Sequence, residues 1–303
     1  MKRRAINLSD WPKLFVLAGI WGASSVPTIS APSDAGNARG SNAESSNHLA
    51  MLIAKAPPGF TCLWEPPFFI IGDEPVEMVR RRATNTVKWA VDLLKRDYFT
   101  RDPLPTIDIW LFKDKDSYEK NVRELFQDTP TSRFGYYSPA HRALFMNIST
   151  GGGTLVHEIV HPFMETNFPN CPAWLNEGLA SLFEASTVRD GHLKGLINWR
   201  LTGLEAAIRQ QTLLPFDKLM ALSHSEFYEN SGDANAGEHY AQARYLCYYL
   251  QEKGLLRPFY REFSANVKTD PTGVRSLKKV LQENDLEAFK NKWEKFILQL
   301  RTP

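Results

Sequence analysis

Residues 156–186 read VHEIVHPFMETNFPNCPAWLNEGLASLFEAS, and this stretch decides how the chain is read. Two apolar segments with helical spacing, near 154–166 and 173–186, are joined by a short run rich in Pro and Asn. The first carries His157, Glu158 and His161. Two histidines four apart on a helix lie about 40 degrees apart around its axis, so both imidazoles reach one cation, and Glu158, one step round, can face a water on it. The second segment carries Glu177, with fifteen residues between it and His161. A carboxylate among Leu175, Leu179, Leu182 and Phe183 is costly to bury unless it meets a cation. Zinc takes nitrogen and oxygen ligands of this kind, and catalytic zinc keeps three protein ligands and one open position.

Working outward, the half before this stretch mixes strands and helices. Pro67 to Ile71 is a short apolar run closed by Gly72 and Asp73, and Glu74 to Tyr98 has apolar residues every three or four positions. Thr106 to Phe112 alternates as a strand does. Ser117 to Phe126 reads as a helix, and Phe134 to Tyr137 with Ala143 to Ile148 as a hairpin around Ser138, Pro139 and Ala140. Beyond Thr150 nearly everything has helical period, with further helices expected near 201–210, 236–253, 273–282 and 285–299. The expected class is α+β: a small mixed β-sheet with packed helices at 50–149, then an all-helical lobe at 150–303, with the metal site between the lobes. The run from Ser149 to Thr154 lets backbone pass close to the site, with Thr154 as a candidate N-cap. Pro162 directly after His161 predicts that the metal helix ends or kinks there.

The pairing of His157-Glu158-Ile159-Val160-His161 with Asn176-Glu177-Gly178 on the next helix resembles the gluzincin branch of the zincin metallopeptidases. The wider layout, over about Pro66 to Leu300, is similar to the exported peptidase MA-like proteins, although the specificity of the match lies in the motifs. The resemblance implies a zincin-like fold, Zn2+ as cofactor, His157, His161 and Glu177 as its ligands, and Glu158 as general base. It also sets the segment from His239 to Leu250 beside a helix that begins with an oxyanion-stabilising tyrosine in related aminopeptidases, which gives Tyr240 that role and leaves His239 as the fallback donor. The same pattern also fits a core stripe of Tyr240, Cys247 and Tyr248. The Gly-x-Met-Glu-Asn segment of the aminopeptidases is not present upstream of His157, so an aminopeptidase assignment does not follow. Glu184 is either a partner for the ring N–H of a ligand histidine or a solvated surface group. Asn198, Trp199 and Arg200 are too specific for a plain linker and receive no role.

The first residues read as a signal peptide over 1–31. Lys2, Arg3 and Arg4 precede an apolar run from Leu14 to Trp21, and small residues follow, with cleavage after Ser25 or Ala31. The run is too short to span a bilayer, so stable membrane insertion after signal removal is not expected, and the expected location is secreted or periplasmic. A buried N-terminal helix is the alternative. Residues 32–49, rich in Ser, Asn, Gly and Ala, read as a flexible linker. Lys plus Arg number 36 against 34 Asp plus Glu, and Lys2, Arg3, Arg4 and Lys13 against Asp10 supply the excess. The rest of the chain is nearly neutral and carries no footprint for nucleic acid. Cys62, Cys171 and Cys247 lack metal spacing, and either one pair bonds or all three are small buried side chains.

The expected function is an exported zinc-dependent metallopeptidase that acts on a peptide or protein substrate through zinc-activated water. Two alternatives stay open: an exported binding module that keeps zinc as a clamp between helices, and hydrolysis of a non-peptide amide or ester with the same residues.

Overall fold

Phe68, Phe69, Ile70 and Ile71 are a continuous apolar run because their strand is buried on both faces, the condition of a central strand with a parallel neighbour. A computed structural model describes residues 37–130, 132–229 and 234–301, with backbone alone at 37–42, 229 and 234–236. The expected signal peptide lies outside the described residues. The described part forms two units, with one division between Thr150 and Gly151.

In the first unit, α1 (Asn37–Lys55) leads into β1 (Thr61–Glu65), β2 (Phe68–Gly72) and α2 (Val76–Arg82), followed by a π-helical stretch, Ala83–Lys88. Later come β3 (Ile107–Phe112), α4 (Lys115–Phe126), β4 (Gly135–Ser138) and β5 (Ala143–Asn147). The sheet order is β1-β2-β3-β5-β4, with β2–β3 and β3–β5 parallel and both edge pairs antiparallel. Phe69, Ile71, Trp110, Phe112 and Phe145 point to one face and pack against Leu52 of α1 and Tyr118, Val122 and Phe126 of α4. Each such side chain contributes about 1.5–3 kcal/mol by leaving water. Asp114 caps α4 by accepting from the Ser117 amide at 2.8 Å.

This unit corrects one expectation. The segment read as a flexible linker over 32–49 is helical from Asn37, and α1 is anchored at its C-terminal half. His48 Nε2 lies 2.7 Å from Asp108 Oδ1 on β3, and Leu49 and Leu52 sit on the sheet. The polar composition concealed a helix held by tertiary packing, for which propensity is a weak guide.

The second unit comprises Trp89–Pro103 with Gly151–Pro303. Residues 89–103 were expected with the sheet half. They belong here because Leu94 of α3 (Trp89–Asp97) is fully buried and Phe99 stacks on Phe163, with ring centroids 5.2 Å apart. Then come α5 (Gly152–Asn167), α6 (Ala173–Leu182), β6 (Ser186–Arg189), β7 (His192–Gly195) and α7 (Arg200–Gln210). They are followed by α8 (Phe216–Ala221), α9 (His224–Glu229), α10 (Ala234–Glu252), α11 (Leu256–Asn266), α12 (Val274–Leu281) and α13 (Leu286–Ile297).

The lobe is therefore not all-helical. A helix expected to run to 186 stops at Leu182, and a hairpin follows, turning at Asp190 (φ 55°) and Gly191 (φ 75°). Asp-Gly with both residues at positive φ is the two-residue turn that matches strand twist. No helix among the described residues is long and apolar enough to cross a membrane. All three cysteines are free thiols.

Candidate metal centre

α5 forms because Leu155, Val156, Ile159, Val160 and Phe163 give it a broad buried face. It starts after Gly151 at φ 108°, and no side chain caps it, so Thr154 does not serve as the N-cap. Pro162 neither ends nor breaks the helix, which runs on to Asn167. Proline lacks the N–H that would reach the Glu158 carbonyl four residues back, and burial of both neighbouring turns holds the helix across that gap. His157 and His161 stay one turn apart, with ring centroids separated by 4.9 Å.

α6 is buried almost all round and lies against α5 and α10. Gly178 makes the second contact close: a Cβ there would stand 2.9 Å from the Ala243 carbonyl oxygen. This explains the glycine beside Glu177. The expected ligands come together. The ligand atoms of His157, His161 and Glu177 lie within 4.8 Å of one another, and these residues can hold a metal ion. All three belong to the second unit, on α5 and α6.

His157 Nε2 faces Glu177 Oε2 at 3.3 Å, and His161 Nε2 faces Glu177 Oε1 at 3.8 Å. His157 Nε2, His161 Nε2 and Glu177 Oε2 are buried and make no hydrogen bond among the described residues. Buried donors and acceptors that meet only in ion-pair contacts without a hydrogen bond are costly in a dry protein, and a cation bound there relieves the cost.

The outward atoms of the same side chains are held. His161 Nδ1 is 3.1 Å from Asn176 Oδ1, and His157 Nδ1 is at ion-pair distance, 3.1 Å, from Glu184 Oε1. Glu177 Oε1 accepts a 2.6 Å hydrogen bond from the Tyr228 hydroxyl on α9. Glu184, just past the end of α6, is the histidine partner that the sequence allowed, and the surface alternative is excluded by its 13% side-chain exposure. It reaches the site because Gly153 has no side chain: a Cβ there would overlap the Glu184 carbonyl oxygen at 2.1 Å.

The unassigned Asn198 and Arg200 hold Glu184 in turn. Arg200 donates from Nη2 to Oε1 at 2.8 Å and from Nε to Oε2 at 3.2 Å, and the Asn198 amide donates to Oε2 at 3.4 Å. The guanidinium lies over the ring of Trp199, 4.2 Å from its centre, and 5.3 Å from the centre of the Tyr240 ring.

These contacts set the charges. Burial is the largest influence on both outer carboxyls and pushes them up, but it is outweighed. His161, His157 and Tyr228 hold Glu177 at about 2, and Arg200 with His157 holds Glu184 at about 2. Burial lowers His157, yet Glu177 and Glu184 together raise it to about 10. Glu158, with Oε1 buried and without a hydrogen-bond partner, is pushed above its ordinary value by burial, against the pull of His157 and His161. Burial keeps the hydroxyls of Tyr228 and Tyr240 protonated well above neutral pH.

Tyr240 is buried, and its hydroxyl has no partner among the described residues. His239 turns to Phe227 instead, with ring centroids 5.8 Å apart. Tyr228 was missed in the sequence, because nothing in Glu226-Phe227-Tyr228 has a fixed spacing to the histidines. Comparison of the chain with protein-family models, curated proteins and solved structures finds no match.

Proposed function

We propose that the chain is a zinc-dependent metallopeptidase of zincin-like architecture, exported by way of residues 1–31, with His157, His161 and Glu177 holding the ion. The observation that carries this reading is the set of buried atoms that make no hydrogen bond among the described residues: His157 Nε2, His161 Nε2, Glu177 Oε2 and Glu158 Oε1. Two imidazoles and one carboxylate are the donor set of an open catalytic zinc site. When bound, the ion supplies Lewis acidity and a water that ionises near neutral pH. Glu158 takes the proton of the attacking water and then passes that proton to the leaving amine. The Tyr240 hydroxyl, without a hydrogen-bond partner among the described residues, donates to the carbonyl oxygen as it gains negative charge. Glu158 also favours an enzyme over a clamp, since a purely structural ion has no use for a buried, unpaired base beside it.

The test is elemental analysis together with turnover on a diverse peptide library, for wild type and Glu158→Gln. The expected result is about one zinc per chain in both proteins and hydrolysis in wild type alone. Hydrolysis retained in Glu158→Gln overturns the mechanism. Zinc without turnover in wild type gives the binding-module reading, and a folded protein without zinc overturns both.

A further inference from the structure

Resting on that metal reading, we propose that Tyr228 is a positioning residue that fixes Glu177 as a one-oxygen ligand through Oε2 and so keeps a coordination position open. The two histidines each present one free nitrogen, because Asn176 and Glu184 stand against their Nδ1 atoms. A carboxylate has no such restriction. With both oxygens free, Glu177 would take an ion at two points, and a site with three protein residues would gain a fourth protein bond where water should sit.

Tyr228 removes that freedom. Its hydroxyl donates to Oε1 at 2.6 Å, a short bond to a charged acceptor, and leaves Oε2 as the oxygen without a hydrogen bond, facing His157 Nε2 at 3.3 Å. His161 Nε2, at 3.8 Å from the same Oε1, is beyond hydrogen-bond reach and does not compete. The tyrosine ring is locked in turn. It is buried, and its centroid lies 4.4 Å from that of His224, 5.5 Å from Phe227 and 6.2 Å from Tyr240. The two tyrosines at the site thus divide the work, with Tyr228 committed to the ligand and the Tyr240 hydroxyl uncommitted.

The experiment loads full-length wild type, Tyr228→Phe and Tyr240→Phe with cobalt(II). Affinity is read by chelator competition and coordination by the visible absorption band, which is strong for a four-coordinate ion and weaker when a further ligand joins. Phenylalanine keeps the ring contacts, and melting of the metal-free variants reports whether the fold is kept. Tyr228→Phe should show a weaker band as Oε1 joins Oε2, with an affinity that differs from that of wild type. Tyr240→Phe should keep both wild-type values. An unchanged affinity and band in Tyr228→Phe overturns the role of Tyr228 while the metal reading stands. No cobalt uptake by folded wild type overturns the metal reading and this inference with it. X-ray absorption of zinc-loaded wild type gives a second test that needs no variant: one carboxylate oxygen on the ion is expected, and two overturn the proposal.

Discussion

The Glu184 oxygen that lies 3.1 Å from His157 Nδ1 also accepts the 2.8 Å hydrogen bond from Arg200 Nη2, so one carboxylate joins a guanidinium to a ligand imidazole. Without Arg200 the carboxylate would be free to rotate or to take up a proton. With Arg200 held in two hydrogen bonds to Glu184, the imidazole stays aimed with Nε2 toward Glu177.

Arg200→Met therefore removes a buried cation and leaves Glu184 with only His157 and Asn198 as partners. The expected cost is about 3–5 kcal/mol of stability, read from denaturant midpoints of the metal-free protein. Metal affinity should fall about 10- to 100-fold in a chelator competition. Affinity unchanged within twofold would mean that Glu184 keeps its place without the guanidinium.

The metal-free protein should show a pH dependence set by the same groups. The folded-state pKa of His157, about 10, lies above the ordinary 6.5, so its contribution to stability is complete below about pH 6.5 and is lost as pH rises through 10. Glu177 and Glu184, held at about 2, act in the opposite sense: their contribution is present above about 4.5 and is lost as pH falls through 2. Urea midpoints should thus fall on both sides of a broad plateau. His157→Gln should flatten the alkaline limb. Uptake of metal at pH 7.5 should release a proton into weakly buffered solution, because an imidazole must be neutral to ligate.

The candidate site was legible in the sequence wherever it depends on spacing along a helix. His157, Glu158 and His161 share one helix, so local period places them together, whereas Glu177 on the next helix was marked by the resemblance of its Asn-Glu-Gly motif. Tyr228, Asn198 and Arg200 reach the site from other segments, which only tertiary packing brings near, and no periodicity marks them. In the fold, β2, β3 and the β4–β5 hairpin could be read because their apolar runs are short and closed by turn residues. The β6–β7 hairpin carried a usable signal in Asp190-Gly191, but the strong helical period on both sides obscured it. The helix of α1 gave no such signal, since its stability comes from contacts with the sheet.

The β6–β7 hairpin precedes Asn198 and Arg200 and is fastened to α3 by Asp97. That buried carboxylate accepts from His192 Nδ1 at 2.5 Å and from the Leu193 amide at 2.9 Å, and it faces Arg257 Nη1 at 3.3 Å. Asp97→Asn keeps the shape but replaces one acceptor by a donor. A loss of about 3–5 kcal/mol is expected, with faster hydrogen exchange at the Leu193 amide. Exchange at Leu193 equal to that of wild type would show that the strand pairing alone holds the hairpin.

Gly178→Ala separates positioning from stability. A methyl group there would stand 2.9 Å from the Ala243 carbonyl oxygen and 3.1 Å from Cys247 Sγ, so α6 must move away from α10. Overpacking of this kind costs about 1–3 kcal/mol. The displacement falls on the residue next to Glu177, while His157 and His161 stay on α5, so metal affinity should drop along with stability. Gly254→Ala provides the comparison. Gly254, at φ 70°, has no atom within 4 Å of where a Cβ would stand. That substitution should lower stability by about 1 kcal/mol through backbone strain and leave metal affinity at the wild-type value. Equal affinities for the two variants would mean that the spacing of α6 and α10 does not place Glu177.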